Sequence, residues 1–124
     1  MGEFAILIGH EVKPCNSMTW ARWREAATGL KGANGGTGFH VADEVVADDV
    51  RISTVFLGLD HGHGGKPLWF ETMVFGGVLD QLQERYATWD QAAAGHAFVK
   101  ATVLGEERKA VDEVRAMLRK IAVS

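Results

Sequence analysis

Five side chains able to move protons or ligate a metal, Asp60, His61, His63, Glu71 and His96, fall between Ile52 and the end of the segment R-Y-A-T-W-D-Q-A-A-A-G-H. Two histidines one residue apart can both reach a metal ion when the intervening glycine lets the backbone fold sharply. Asp60, Glu71 and His96 would add oxygen and nitrogen ligands, and Glu71 could serve as general base toward a metal-activated water. An H-x-H pair without a placed third ligand is a weak signal, and glycine-histidine loops are commonly exposed tips, so no metal, cofactor or catalytic residue is assigned. A second constellation is Trp69, Arg85, Tyr86 and Trp89, whose aromatic faces would stack a flat ring while the arginine holds a phosphate. The plainer alternative is that these amphipathic side chains shield the edge of a core. The candidate ligand-binding set is therefore Asp60, His61, His63, Trp69, Glu71, Arg85, Tyr86, Trp89 and His96. Covalent catalysis has the least support, since no G-x-S-x-G element is present and Cys15 lacks a nearby basic partner.

The elements that must position these groups follow from local pattern. Phe4 to Gly9 is a short β-prone run ending in glycine, after which His10, Glu11 and Pro14 suggest a turn. Asn16 or Ser17 can cap a short helix in which Trp20, Trp23 and Ala27 share one face, packed on a sheet. Residues 31–38 carry four glycines but neither G-K-[ST] nor G-x-G-x-x-G, and the segment that follows resembles a strand, so the loop is taken as a connection and not a phosphate cradle. Strands are expected over about 39–46, 50–59 and 68–75, forming a meander that the 4–9 strand extends. On the third of these, Glu71 shares a face with Trp69, Met73 and Phe75, where it must find a partner; Arg51 and Arg85 are the candidates. Thr88 and Gln91 make a capping box for a helix over about 89–104, and Glu106-Glu107 opens another that ends near Ile121. His96 lies seven residues after Trp89 on one helical face, as a satisfied core residue or as part of a site. The expected fold is a single α+β domain, 1–124: a small, mainly antiparallel sheet with a short N-terminal helix and a C-terminal helical pair.

Bulk composition narrows the function classes. The 124 residues, 47% hydrophobic, suffice for one domain with a core. A formal net charge of −3 gives no basic footprint, which disfavours duplex nucleic acid as a partner. One cysteine, no secretory signal pattern and no apolar run near 20 residues suggest a cytoplasmic chain without a membrane span. Met1-Gly2 is not followed by the serine or threonine of a myristoylation signal.

Three blocks, S-T-V-F-L-G-L-D-H at 53–61, P-L-x-F-E-T-M-V-F-G-G at 67–77 and R-Y-x-T-W-x-x-A-x-x-G-H at 85–96, with T-W-A-R-W at 19–23, resemble a family of small proteins of tailed bacteriophages and prophages. The resemblance covers roughly residues 10 to 100; the glycine-rich insert at 31–38 and the tail after Gly105 depart from it. The family has no firmly assigned activity, so the resemblance implies an origin and not a mechanism. It favours a non-enzymatic binding protein that counters host defence, by sequestering a small anionic, nucleotide-like ligand or by blocking a host protein. The alternatives are a metal-dependent hydrolase built on Asp60, His61, His63, Glu71 and His96, and a virion assembly protein. Exposed strand edges make a homo-oligomer compatible with all three.

Overall fold

The computed structural model describes residues 3–47, 49–60, 65–105 and 111–123, the side chains of 111 and 112 excepted. In chain order the elements are β1 (Glu3–Ile8), β2 (Glu11–Cys15), α1 (Ser17–Thr28), β3 (His40–Ala47), β4 (Val50–Phe56), β5 (Leu59–Asp60), β6 (Phe70–Phe75), β7 (Gln83–Tyr86), α2 (Trp89–Val103) and α3 (Val111–Val123). The α+β class is as expected, but there are two sheets. One has the order β2-β1-β5 and the other β3-β4-β6-β7, all neighbours antiparallel.

Two expectations are thereby corrected. The first strand does not extend the meander; it forms a hairpin with β2, a strand that the charged and proline-containing sequence Glu11-Val-Lys-Pro-Cys15 hides. Pro14 is tolerated there because β2 lies at an edge, where a missing N–H costs the ladder little. The run from Val50 to Leu59 is not one strand either. It breaks after Phe56 at Leu57-Gly58 and resumes in the other sheet as β5, where Leu59 pairs with Phe4 and Asp60 with Glu3. Gly58 makes the break possible: its φ is +66°, and a Cβ there would lie 2.6 Å from the Trp20 indole nitrogen.

One face of the four-stranded sheet is covered by helices. Ile52, Thr54, Phe56, Phe70, Thr72, Val74 and Tyr86 alternate onto the covered face and are all essentially buried. Helix α2 lies across this face, with Ala92, His96 and Val99 buried against it, and the Thr88/Gln91 capping box starts it as expected. Helix α3 adds Val114 and Leu118 to the same core, and its Arg119 approaches Glu84 of β7 at 3.7 Å. The opening of this helix at Glu106-Glu107 lies outside the described residues. Helix α1 is capped by Asn16, whose side chain accepts from the Thr19 amide. Its two tryptophans bind the joint between the sheets: Trp20 donates to the Leu57 carbonyl at 3.1 Å, and Trp23 meets Phe56 edge-on. No described helix is long and apolar enough to cross a membrane.

Candidate functional site

The expected ligand-binding residues do not share one pocket. Antiparallel register sends Tyr86 to the helix-covered face of the four-stranded sheet and Glu71 and Arg85 to the opposite one. Arg85 donates to the Glu71 carboxylate at 3.0 Å, and Gln83 donates to the same oxygen, so Arg85 and not Arg51 is the partner of the buried Glu71. Arg51 instead grips Asp43 through two hydrogen bonds of 2.7 and 2.8 Å. Asp60 ends β5, where its carboxylate accepts from the Leu68 amide at 3.5 Å. Trp69 is buried, and its carbonyl accepts from the Leu57 amide. His61 and His63 lie outside the described residues. Among the described residues no three His, Cys, Asp or Glu side chains converge as metal ligands.

Two features do emerge. The first is a polar chain between α2 and the covered sheet face. The His96 ring lies 2.8 Å through Nε2 from Glu44 Oε1 and 2.7 Å through Nδ1 from the Thr54 hydroxyl, which is 2.7 Å from the Thr72 hydroxyl. Lys100, one helical turn further on, donates to the other Glu44 oxygen at 2.8 Å. The Lys100 hydrogen bond, reinforced by His96, holds the Glu44 carboxyl below the usual glutamate range, against its desolvation. An ionised carboxylate only accepts, so Nε2 carries a proton. In the neutral ring Nδ1 then accepts from Thr54, and Thr72 donates to Thr54. Carboxylate, imidazole and hydroxyl thus stand in the order that activates a nucleophile, but Thr54 is 0% exposed and no substrate can reach it. The chain is structural: it satisfies two threonine hydroxyls that the sheet buries and fixes α2 over them.

Tyr86 ends in the same interior. Its hydroxyl is buried without a hydrogen-bond partner among the described residues and fits the notch left by Gly95 of α2. Burial pushes its phenol up to about 12; the nearby Thr72 hydroxyl opposes this only in part. Tyr86 is the chain's one tyrosine, so absorbance at the tyrosinate band reports it alone. The folded protein should show no tyrosinate at the ordinary phenol pKa of 10.0. Unfolded chains ionise first, so the contribution of Tyr86 to stability should be constant below that pH and be lost as pH rises toward about 12. Ionisation near pH 10 with the fold intact would contradict the burial of this hydroxyl.

The second feature is a cleft of about 460 Å³ where the tip of the β1–β2 hairpin meets the N-terminus of α2, lined by Ile8, His10, Glu11, Thr88, Trp89 and Asp90. His10 stacks on Trp89 with ring centroids 3.8 Å apart and planes 8° from parallel. Phe70 supports the indole edge-on at 6.3 Å. The stack joins residues 10 and 89, which no local spacing could relate. Of the expected set, among the described residues, only Trp89 lines this cleft; Asp60 pairs with Glu3 at the opposite end of β1 from Ile8. Two carboxylates, Glu11 and Asp90, are in the lining, and Glu11 pairs with Lys13 at 2.9 Å.

Comparison with protein family models, with curated proteins and with solved structures finds no match.

Proposed function

We propose that this chain is a non-enzymatic binding protein of bacteriophage type, which blocks a host protein by taking one of its segments into the cleft beside Trp89. The observation that carries this reading is the His10–Trp89 stack in the wall of an open cleft. The imidazole is exposed, so its outer face offers a platform on which a further planar group extends the stack. The acid–imidazole–hydroxyl chain, by contrast, ends at a sealed threonine, which favours binding over turnover. Of the two occupants considered from sequence, a protein segment suits this cleft better than a small anion. Asp90 already occupies the positive N-terminal end of α2 and would repel an anion there, and Arg85, the residue expected to hold a phosphate, is committed to Glu71 on another face. An arginine side chain fits the lining best, since its guanidinium both stacks on rings and pairs with carboxylates.

The test is affinity capture from a bacterial lysate with the wild-type chain, His10→Ala and Asp90→Arg, alongside native mass spectrometry of the purified protein. One host protein captured by the wild type and depleted about tenfold or more by both substitutions, as expected for central contacts, supports the reading. Equal recovery with all three chains overturns it. A retained nucleotide-sized mass would move the assignment to the anionic ligand.

A further inference from the structure

We propose that Asn34, at the tip of the glycine-rich loop, is a site of spontaneous deamidation that turns a neutral clamp on β3 into an anion and frees the loop tip from that strand. Asn34 is exposed, and Gly35 follows it. The Gly35 amide nitrogen lies one five-membered ring away from the Asn34 side-chain carbonyl, and with no side chain on the glycine nothing crowds its approach. The fold itself demands that glycine: φ at Gly35 is +89°, and a Cβ there would collide with the Asp43 carbonyl oxygen. Any side chain at position 35 that would slow the reaction is therefore excluded by β3. The other asparagine of the chain is built differently. Asn16 caps α1, its side-chain oxygen accepts from the Thr19 amide at 2.8 Å, and the next residue, Ser17, is already helical and carries a Cβ.

Two hydrogen bonds fasten Asn34 to β3, an edge strand: its side-chain nitrogen donates to the Val41 carbonyl at 3.3 Å, and its own carbonyl accepts from the Asp43 amide at 3.0 Å. The first is long for an N–H···O bond, and residues 33–36 around it are exposed, so it restrains the side chain weakly. The reaction exchanges water for ammonia. The Gly35 amide gives up its proton, its nitrogen bonds to Cγ of Asn34, and the Cγ–Nδ2 bond breaks as ammonia leaves with that proton. Water then opens the cyclic imide at either carbonyl, leaving aspartate or, where the main chain now runs through Cγ, isoaspartate. In aspartate an acceptor replaces the donor opposite the Val41 carbonyl, so that bond is lost. In isoaspartate the main chain is one carbon longer, which shifts the tip against the Asp43 amide. Either product adds a negative charge to a loop whose Gly36 packs on the Asp43 side chain. The base of the loop is held separately, through the Gly38 amide on the Ala27 carbonyl at 3.0 Å and the Thr37 amide on Nδ1 of His40 at 2.9 Å, so the tip loosens and the fold stays. The exchange runs one way, and the loop is tight in a new chain and looser in an old one.

Peptide mapping by mass spectrometry tests the inference on purified wild-type chain kept for two weeks in mildly alkaline buffer at physiological temperature. Asn34 is expected to be converted about tenfold or more beyond Asn16, the aspartate and isoaspartate forms separating by chromatography as two peptides of equal mass. Asn34→Asp tests the consequence. Its Asp43 amide should exchange hydrogen about fivefold or more faster than in the wild type, as the loss of a hydrogen bond requires, with the circular dichroism spectrum unchanged. An Asn34 that keeps its amide as long as Asn16 does overturns the inference. So does an Asn34→Asp chain whose Asp43 amide is as protected as in the wild type, because the modification would then free nothing.

Discussion

Replacing Gly95 with alanine is expected to lower the thermal midpoint by roughly 8 °C, although helix propensity alone predicts a gain. Inside a helix the exchange normally stabilises by about 1 kcal/mol, because alanine loses less backbone freedom. Here the added methyl would lie 2.5 Å from Cζ and 2.8 Å from Cε1 of Tyr86, in addition to its contact with the hydroxyl. The ring is fully buried and flanked by Phe70, its cross-strand partner, so it cannot yield as a flexible side chain would. Overpacking of this kind costs about 3 kcal/mol, at the upper end of its usual range, leaving a net loss of about 2. Tyr86→Phe should rescue little, since Cζ and Cε1 remain. The exposed Ala97, on the same helix, is the control: Ala97→Gly should follow propensity and cost about 1 kcal/mol. Thermal melts of these variants decide the matter, and a Gly95→Ala protein as stable as the wild type would mean that α2 does not sit over Tyr86 as described.

The second large effect is expected at His96. His96→Leu should cost about 2 kcal/mol, because Thr54 loses the partner that fixes its hydroxyl and Glu44 keeps Lys100 alone. A double cycle with Thr54→Val should show coupling, the second substitution costing less once the first is made. Additive losses would deny the hydrogen bond between them. The Glu44 arm has its own pH signature. Its folded carboxyl titrates below the ordinary 4.5, so its contribution is present above that pH and is lost as pH falls through the depressed value. The stability difference between wild type and Glu44→Gln should therefore vanish on acidification. Glu44 is about one-third exposed, so this difference is small even at neutral pH.

What sequence could and could not reveal follows from where the information resides. The start of α2 was legible because a capping box is written in four adjacent residues, Thr88 to Gln91. Strands β3, β4 and β6 showed their β-branched runs. Strands β2 and β7 did not, since edge strands carry charge and proline, the same features that mark loops. The end of β4 was hidden because Val55 to Leu59 is continuously apolar apart from Gly58, the residue that turns the chain into the other sheet. At the site, His96 and Trp89 were marked by type, but their partners were not. Thr54 and Thr72 read as ordinary strand formers; the available signal was that they pair directly across β4 and β6 beneath a histidine on an apolar helix face. The association of His10 with Trp89 depends on how a hairpin docks, which no periodicity encodes.

That docking sets an order of events during synthesis. Residues 3–15 are made before the partners that fix them: they can close locally as a hairpin, yet the other neighbour of β1 is β5 at 59–60, and the ring on which the hairpin tip rests is at position 89. An isolated two-stranded hairpin is marginal in water. The hairpin must therefore wait until Trp89 has been made before its position is fixed, and the cleft forms later than the hairpin that lines it. A nascent or truncated chain ending before Trp89 would lack the ring on which the hairpin tip rests, and with it the cleft.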